Sequence, residues 1–371
     1  MNRRHFIGIA GGAVIAAGGA GYVFSDKRNF VRADLAADSD QTPLLNADEH
    51  QILTLASLAP SGHNTQPWFV RRLEPLHWIV GNDKTKWLPA VDPNQRETIL
   101  SLGAFRQNLE YAAGSLGYVC EWKLLAETNQ SEQVMEVKLS QKGPKSTFDT
   151  ARIRERRTVR SGFLSDGLKK EDVEPLVGPE RELIHYLPTG SKEGRYLNEQ
   201  TIEANRVQTY RDPAQAELAE WIRFSSKEAE KRRDGLTTAG MEIEGLAGWW
   251  VRNFYGKNDV MKAGFRERGL DKVREQVSGS AGWILITSRG ESVPELLETG
   301  RRMQRLLLQV RERNIAIHPM TQILEEPSTR ETLNRSIGID QNIQFILRVG
   351  YLKNYPPPVS LRRPVSWFLR G

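Results

Sequence analysis

The chain has 371 residues, of which 39% are hydrophobic and 26% charged, and it contains nine tryptophans. This composition excludes a disordered, collagenous or low-complexity chain. Its 52 lysines and arginines against 46 aspartates and glutamates give a net charge of +6, and because the two signs alternate along the chain, no binding of nucleic acid is expected.

The single cysteine, Cys120, excludes an intrachain disulfide and any zinc or iron–sulfur site built on several cysteines. It lies in an apolar run that is typical of a strand, which predicts a buried structural thiol rather than a nucleophile. No metal site is predicted.

Residues 1–24 have the pattern of an export signal. A basic start with the adjacent pair Arg3 and Arg4 precedes residues 6–24, which carry no charge. The pair resembles a twin-arginine (Tat) signal, with Asn2 where those signals usually carry Ser or Thr. The resemblance implies passage through the Tat translocase, which moves folded proteins, and a location in the periplasm or on the outer face of the cytoplasmic membrane. The alternative is an uncleaved membrane anchor, since about 19 uncharged residues can span a bilayer.

The next residues predict a tether and then the first half of a folded unit. Residues 25–45 lack sustained periodicity. A helix is predicted to begin at its cap, Asn46, and to end before Pro60. Further elements are predicted as strands at 68–70 and 77–80, a helix at about 95–115, a strand around Cys120 and a strand at 134–139.

The second half is predicted to follow a linker at 141–150, which is rich in Gly, Pro, Ser and Thr. A helical pattern at 193–224 is interrupted at Asp212-Pro213, and strands are predicted at 282–287 and 345–350. The predicted domains are a signal or anchor at 1–24, a tether at 25–45, a first half at 46–145 and a second half at 146–371 with an insertion near 235–264.

Two predicted helices share a short pattern. Gly103, Gln107 and Leu109 have the same spacing as Gly300, Gln304 and Leu306, and each helix then leads to an apolar strand. Chance can produce so short a match, but it suggests two related halves in one chain.

The loop after the first helix concentrates polar side chains between two prolines. Asn and Gln amides offer donors and an acceptor together, which suits the polar edge of a flavin or its ribityl hydroxyls. The alternative is an ordinary polar turn in which Asn64 caps locally. The candidates in this loop are Ser61, His63, Asn64, Gln66 and Trp68.

Two arginine-rich segments are candidate phosphate sites. Four arginines lie between Arg154 and Arg160, and a guanidinium matches a phosphate with two parallel hydrogen bonds. Near the C-terminus, two more arginines lie among prolines and so lose little entropy on binding an anion. For the first segment the alternative is a solvated basic helix end. The candidates are Arg156, Arg157, Thr158, Arg160, Arg362 and Arg363.

The order and combination of these motifs resemble the FMN-binding nitroreductase family, over about residues 46–371. The motifs are Ser-Gly-His-Asn-Thr-Gln-Pro-Trp at 61–68, Arg-Arg-Thr-Val-Arg at 156–160, and Arg-Val-Gly-Tyr at 348–351 followed by Arg-Arg-Pro at 362–364. The segments at 219–223 and 233–236 resemble, more narrowly, its mycobacterial Acg-type branch, in which one chain looks like two fused halves.

The resemblance implies a fold and a set of cofactor contacts. The implied fold is α+β, with a mixed, mainly antiparallel sheet flanked by helices and two fused halves that mimic the family's dimer. By resemblance, Arg156, Thr158 and Arg160 hold FMN, Asn64 binds its ribityl chain and Arg362 its phosphate. Met320 and Thr321 lie where the family's chain passes the isoalloxazine. In ordinary members the arginine motif precedes the Gln-Pro-Trp loop, whereas here it follows, which favours a fused pair.

The expected function is that of an exported FMN oxidoreductase acting on a small nitro- or quinone-like substrate. Because NAD(P)H is expected to be scarce beyond the cytoplasmic membrane, a membrane quinol or a redox partner protein is a candidate electron donor. Two alternatives stay open, namely an FMN-storing protein without turnover and a membrane-tethered binding protein without flavin. The aromatic insertion with Trp249, Trp250, Phe254 and Tyr255 is either a lid over the flavin or an aromatic core or interface.

Overall fold

The computed structural model describes residues 25–35, 42–141 and 143–371. The predicted export signal at 1–24 lies outside the described residues. Among the described residues, no helix has the length and apolar character needed to span a bilayer.

The first helix begins at a local capping signal. The side chain of Asn46 accepts a hydrogen bond from the backbone of Glu49, and the Glu49 carboxylate accepts one in return from the Asn46 backbone, which is a capping box. The predicted cap is thus confirmed.

The helices are α1 Ala47–Ala56, α2 Arg96–Ser115, α3 Ala151–Glu155, α4 Lys170–Val177, α5 Lys192–Tyr210, α6 Asp212–Trp221, α7 Ser226–Arg232, α8 Gly245–Phe254, α9 Lys257–Val260, α10 Ala263–Ser278, α11 Val293–Leu307, α12 Gln322–Glu325, α13 Pro327–Ile337 and α14 Val365–Phe368.

The strands form two main sheets and a short ribbon. The bounds are β1 Trp68–Glu74, β2 His77–Asn82, β3 Tyr118–Leu124, β4 Gln133–Gln141, β5 Ile184–Pro188, β6 Ile222–Arg223, β7 Leu236–Thr237, β8 Gly282–Ser288, β9 Ile315–Pro319, β10 Asn342–Tyr351 and β11 Leu369–Arg370. The first sheet has the order β11-β1-β2-β4-β3, and the second has the order β5-β8-β10-β9. In these two sheets only the pairing of β1 with β11 is parallel. The predicted α+β class with mainly antiparallel sheets flanked by helices is confirmed.

The last strand returns the chain to the first sheet. In β11, Leu369 pairs with Val70 of β1, so the segment between β10 and β11 passes from the second sheet back to the first. This route carries the C-terminal arginines past the loop that follows α1. Cys120 is half-buried on β3, and burial raises the pKa of its thiol to about 12, which leaves little thiolate for nucleophilic chemistry.

The helices α2 and α11, which share the glycine pattern, pack against each other through a reciprocal contact. A Cβ atom added to Gly103 would lie 2.1 Å from the carbonyl oxygen of Leu297, and one added to Gly300 would lie 1.9 Å from the carbonyl oxygen of Leu100. Leu100 and Gly103 of α2 have the same spacing as Leu297 and Gly300 of α11. The glycine of each helix therefore packs against the leucine carbonyl of the other helix. A twofold relation between similar elements produces this arrangement.

Candidate functional site: a cluster of buried arginines

The loop after α1 has an unusual backbone that its neighbours hold in place. His63, Asn64 and Gln66 all adopt left-handed conformations, with φ of 47°, 54° and 56°, which are uncommon for residues other than glycine. The Gln66 side chain donates to the carbonyl of Arg233 at 2.9 Å and accepts from the backbone of Arg363 at 2.9 Å. Long-range contacts therefore determine the shape of this loop.

Asn64 joins this loop to the C-terminal arginine segment. Its amide nitrogen donates to the carbonyls of Gly235 at 3.1 Å and Leu361 at 3.2 Å. Its amide oxygen accepts a 2.8 Å hydrogen bond from Nη1 of Arg362. Two predicted site residues, Asn64 and Arg362, are thus in direct contact.

Arg156 and Arg362 converge on the same carbonyl at the end of α1. Nη2 of Arg156 lies 3.3 Å from the Leu58 oxygen, and Nη2 of Arg362 lies 3.2 Å from the same oxygen and 3.0 Å from that of Ala59. The carbonyls at the C-terminal end of a helix are the negative end of its dipole, which favours cations. The structure therefore brings together arginines from two distant motifs.

Arg32 is the third member of this cluster, and sequence reasoning missed it. Its Nε donates to the carbonyl of Ser360 at 2.9 Å and its Nη1 to that of Arg154 at 3.2 Å. Burial and the neighbouring charge of Arg156 lower the pKa of Arg32 to about 9. Burial, followed by the charges of Arg32 and Arg156, lowers the pKa of Arg362 well below its usual value. The three side chains thus repel one another.

The cluster formed by Arg32, Arg156 and Arg362 lacks a compensating anion. Within the described part of the chain, no ion pair links any of the three to a carboxylate, and burial lowers the pKa of Arg156 to about 10. Buried donors without a protein partner remain on each side chain: Nη2 of Arg32, Nε and Nη1 of Arg156, and Nε of Arg362. A buried charge is costly unless it is paired and hydrogen-bonded. The arrangement therefore suits a bound anion with several acceptor oxygens, such as a phosphate ester.

Arg157, next to Arg156, is occupied differently. Its Nη1 donates to the carbonyl of Pro357 at 2.7 Å, and its Nη2 pairs with the carboxylate of Glu242 at 3.0 Å. The same carboxylate accepts from the backbone of Arg160 at 3.0 Å and from the hydroxyl of Ser161. Arg157 thus ties the arginine motif to the insertion, and its neighbour Arg156 keeps free donors.

Arg160 hydrogen-bonds to a histidine of the second sheet. Its Nη1 donates to Nε2 of His318 at 2.7 Å, and its Nε donates to the carbonyl of Gly240 at 3.0 Å. Because Nε2 accepts a hydrogen bond, the His318 ring is neutral and carries its proton on Nδ1, which is buried without a protein partner. Burial and the charges of Arg160 and Arg348 lower the pKa of His318 well below its usual value.

The lowered pKa values of His63 and His318 predict a loss of stability in mild acid. Burial, followed by the charge of Arg160, lowers the pKa of His63 from 6.5 to about 4. Between these values the unfolded chain binds a proton that the folded chain does not, so the free energy of unfolding falls as pH falls. The expected loss between pH 7 and pH 5 is about 2 kcal/mol for His63 alone.

Urea titrations at pH 7 and pH 5 test this expectation. The variant His63→Gln should lose less stability between the two pH values than the wild type. An equal loss in both proteins would show that His63 does not titrate as the structure indicates.

A pair of carboxyl groups lies beside Thr321. The Thr321 hydroxyl is 3.0 Å from Oε1 of Glu325 and 3.4 Å from Oε1 of Glu97. Burial and the charge of Glu325 raise the pKa of Glu97 to about 8. Nη2 of Arg96 donates to the same Oε1 at 2.9 Å and opposes this rise. The raised pKa favours a proton on Glu97, next to one of the residues predicted to flank the flavin.

The contacts of the other predicted site residues are mainly structural and do not indicate a ligand. Trp68 is fully buried, with its ring centre 5.2 Å from that of Phe105, and Met320 is buried in a core cluster of the second sheet. Arg363 donates to the carbonyls of Trp68 at 2.9 Å and of Gln66. The Ser61 hydroxyl accepts from the Gln66 backbone at 2.9 Å, and Thr158 is half-buried. Their cofactor roles stay predictions.

The segment 25–35, which we predict as part of a tether, packs across this site. The backbone of Arg32 donates to the carbonyl of Val359 at 3.2 Å, and Asn29 accepts from Nη1 of Arg252 at 2.7 Å. The segment therefore touches both the C-terminal residues and the insertion. No local sequence pattern signals these contacts, because they join residues far apart in the chain.

Comparisons with known proteins give consistent names at low identity. No family model matches the chain. It is 22% identical over 342 residues to "Putative NAD(P)H nitroreductase acg" of Mycobacterium tuberculosis, covering 84% of this chain and 92% of that protein. It is also 22% identical over 332 residues to "Probable NAD(P)H nitroreductase PigM" of a Serratia strain, covering 84% and 90%. These relatives support the predicted relationship to the nitroreductase family.

Solved structures also match. A nitroreductase-like protein from Bacillus cereus covers 62% of this chain and 98% of its own, at 16% identity and a TM-score of 0.32. The FMN-dependent nitroreductase NfnB from Mycobacterium smegmatis, solved with NADPH, covers 59% of this chain and 96% of its own, at 15% identity and a TM-score of 0.36.

Proposed function

We propose that this protein is an exported oxidoreductase of the nitroreductase type that uses bound FMN to reduce a small nitro- or quinone-like substrate. The observation that carries the proposal is the cluster of Arg156 and Arg362, which are buried, and Arg32, which is half-buried; none of the three has a carboxylate partner among the described residues. The names of the relatives support the reaction class.

The residues of the cluster fit the phosphate of FMN. A phosphate ester carries about two negative charges and three strong acceptor oxygens, and the cluster offers free Nε, Nη1 and Nη2 donors. Arg156 and Arg362 would hold the phosphate, and Arg32 would add a third donor from the N-terminal side. Asn64, in contact with Arg362, would orient the ribityl chain. Binding would replace mutual repulsion by charge-assisted hydrogen bonds.

The residues near Thr321 and His318 would form the ring end of the site. When bound, FMN supplies two-electron transfer through its ring. The neutral His318 keeps a proton on a buried Nδ1 that has no protein partner, so it can donate a hydrogen bond to a polar ring atom. Glu97, whose pKa is raised to about 8, would supply a proton to the substrate as it is reduced.

The electron donor is part of the proposal. The relatives' names mention NAD(P)H, but the Tat-like sequence of residues 1–24 supports a location in the periplasm or on the outer face of the cytoplasmic membrane. In that location we expect a membrane quinol or a redox partner protein to reduce the flavin.

A flavin-storing protein without turnover is the second candidate, and one feature favours it. Segment 25–35 and the insertion both lie against the arginine motif, through Arg32 and through the ion pair of Arg157 with Glu242. Segments that cover a cofactor on two sides would restrict access to it.

One experiment distinguishes these functions. The natively purified protein should show the visible bands of a flavin, and heat denaturation should release FMN. After reduction with dithionite under anaerobic conditions, rapid reoxidation by a small nitroaromatic or quinone would support the oxidoreductase. Slow reoxidation by every small acceptor would support storage. A colourless protein that takes up no FMN on titration would contradict both.

Arg32 gives a prediction that is specific to this site. Replacing it by alanine should weaken FMN binding by roughly tenfold or more, because a charge-assisted hydrogen bond to phosphate contributes about 1.5–3 kcal/mol. The matched control is Arg28→Ala in the same segment, since the Arg28 side chain is 78% exposed and pairs with Asp34. Isothermal titration of both apoproteins with FMN tests this, and equal affinities for the two variants would remove Arg32 from the site.

A further inference from the structure

Helix α8, within the insertion, exposes a row of large apolar side chains. Leu246, Trp250 and Phe254 are 86%, 52% and 56% exposed. They are spaced four residues apart, so they lie on one face of the helix. The rings of Trp250 and Phe254 are 4.4 Å apart. This exposed face comprises three of the ten large apolar residues that are exposed in the described part of the chain.

The opposite face of α8 is fixed to the protein by the N-terminal segment. Arg252, which is buried, donates to the carbonyls of Lys27 at 3.2 Å and Asp26 at 3.3 Å and to the side chain of Asn29 at 2.7 Å. The amide of Asn253 donates to the Asp26 carbonyl at 3.2 Å. These hydrogen bonds attach the helix to the folded protein with its apolar face outward.

The described N-terminal segment starts on this same helix. Nε1 of Trp249 donates to the Ser25 hydroxyl at 3.0 Å, and Ser25 is preceded in the sequence by residues 6–24, which carry no charge. A run of about 19 uncharged residues is long enough to span a bilayer. Because this run joins the folded protein at α8, any bilayer that receives it lies beside the exposed face.

The charges next to this junction favour a membrane surface. Lys27 and Arg28 lie two and three residues after Ser25 and are exposed, and Arg28 pairs with Asp34. Basic residues beside an apolar segment are attracted by anionic lipid headgroups. Trp and Phe side chains are, moreover, favoured at the boundary between headgroups and acyl chains.

We propose that the face formed by Leu246, Trp250 and Phe254 docks on the surface of a lipid bilayer, beside the point where residues 6–24 join the folded protein. This contact would hold the whole domain in one orientation on the membrane. It does not depend on whether the arginine cluster binds FMN.

The test measures contact between Trp250 and lipid in the full-length chain. The protein is bound to vesicles of phosphatidylcholine and phosphatidylglycerol, with and without brominated acyl chains, and unbound protein is removed. The brominated lipid should quench the fluorescence that Trp250 contributes, which is the difference between the wild type and Trp250→Phe. Trp221→Phe is the control, because Trp221 is buried in another cluster and its loss should leave the quenching unchanged.

A second pair of variants separates docking from insertion of the N-terminal run. Leu246→Ser with Phe254→Ser should reduce the quenching of Trp250 at least twofold without changing the melting temperature, since both side chains are exposed. Leu73→Ser with Val119→Ser, at positions 42% and 47% exposed on the first sheet, should leave the quenching unchanged.

Three outcomes would overturn the proposal. Trp250 that is open to iodide but not to brominated lipid would show that the face stays in water. Trp250 shielded from both, in a monomer, would show that residues 6–24 cover the face. Shielding that depends on protein concentration, with a dimer in sedimentation, would assign the face to a second copy of the chain.

Discussion

Replacing Arg156 by alanine should abolish most of the affinity for FMN while leaving the apoprotein as stable as the wild type or more so. Two of its nitrogens, Nε and Nη1, have no protein partner, and the hydrogen bond that its side chain makes within the described part of the protein is a long one of 3.3 Å to the Leu58 carbonyl. Removing this side chain should therefore cost the apoprotein little stability, and it relieves repulsion with Arg32. Losing two hydrogen bonds to phosphate should cost about 3 kcal/mol of binding free energy, which raises the dissociation constant for FMN roughly 100-fold.

The adjacent Arg157 is a matched control with the opposite expectation. It is nearly as buried as Arg156 but is paired with Glu242 and the Pro357 carbonyl. Arg157→Ala would leave the buried Glu242 carboxylate without its partner, so the free energy of unfolding should fall by about 3–5 kcal/mol. Urea unfolding and FMN titration on both variants test this contrast. If Arg157→Ala is as stable as the wild type, the structural role of its ion pair with Glu242 is wrong. If Arg156→Ala keeps the FMN affinity of the wild type, the assignment of Arg156 to the FMN phosphate is wrong.

Adding a methyl group at the crossing of α2 and α11 should destabilise the protein strongly. A Cβ at Gly103 would lie 2.1 Å from a backbone oxygen of the other helix, and one at Gly300 would lie 1.9 Å from the reciprocal oxygen. Backbone atoms cannot move aside as a side-chain end can, so the helices must separate. We expect Gly103→Ala and Gly300→Ala each to lower the free energy of unfolding by about 3 kcal/mol or more.

The control for this prediction is Gly269→Ala in α10. An added Cβ at Gly269 has no atom within 4 Å, and alanine favours a helix over glycine by about 0.5–1 kcal/mol. Thermal unfolding should therefore show a higher melting temperature for this variant and lower ones for the other two. Similar melting temperatures for Gly103→Ala and the wild type would contradict the close approach of the two helices.

The sequence predicted what depends on local signals. The cap at Asn46, the strand around Cys120 and the strand at 282–287 follow from capping chemistry and from short apolar runs. The shared spacing of Gly103 and Gly300 also predicted a relation that the reciprocal contact supports. In these cases the residues that decide the structure are close together in the chain or repeat a pattern.

The sequence could not predict contacts between distant residues. Nothing near Arg156 and Arg157 shows which of the two is paired, because the partner Glu242 belongs to the insertion. Arg32 lies in a segment without periodicity, so it gave no sign of joining Arg362. Our proposed site thus combines arginines that a motif predicted with one that only the folded chain identifies.

Isothermal titration of the wild-type apoprotein with FMN and with riboflavin should show whether the arginine cluster holds a phosphate. The two ligands differ only in the phosphate, which the cluster of Arg32, Arg156 and Arg362 is proposed to hold. We predict that FMN binds at least 100-fold more tightly than riboflavin, from the charge-assisted hydrogen bonds to phosphate. Equal affinities, or no binding of either ligand, would contradict the proposed site.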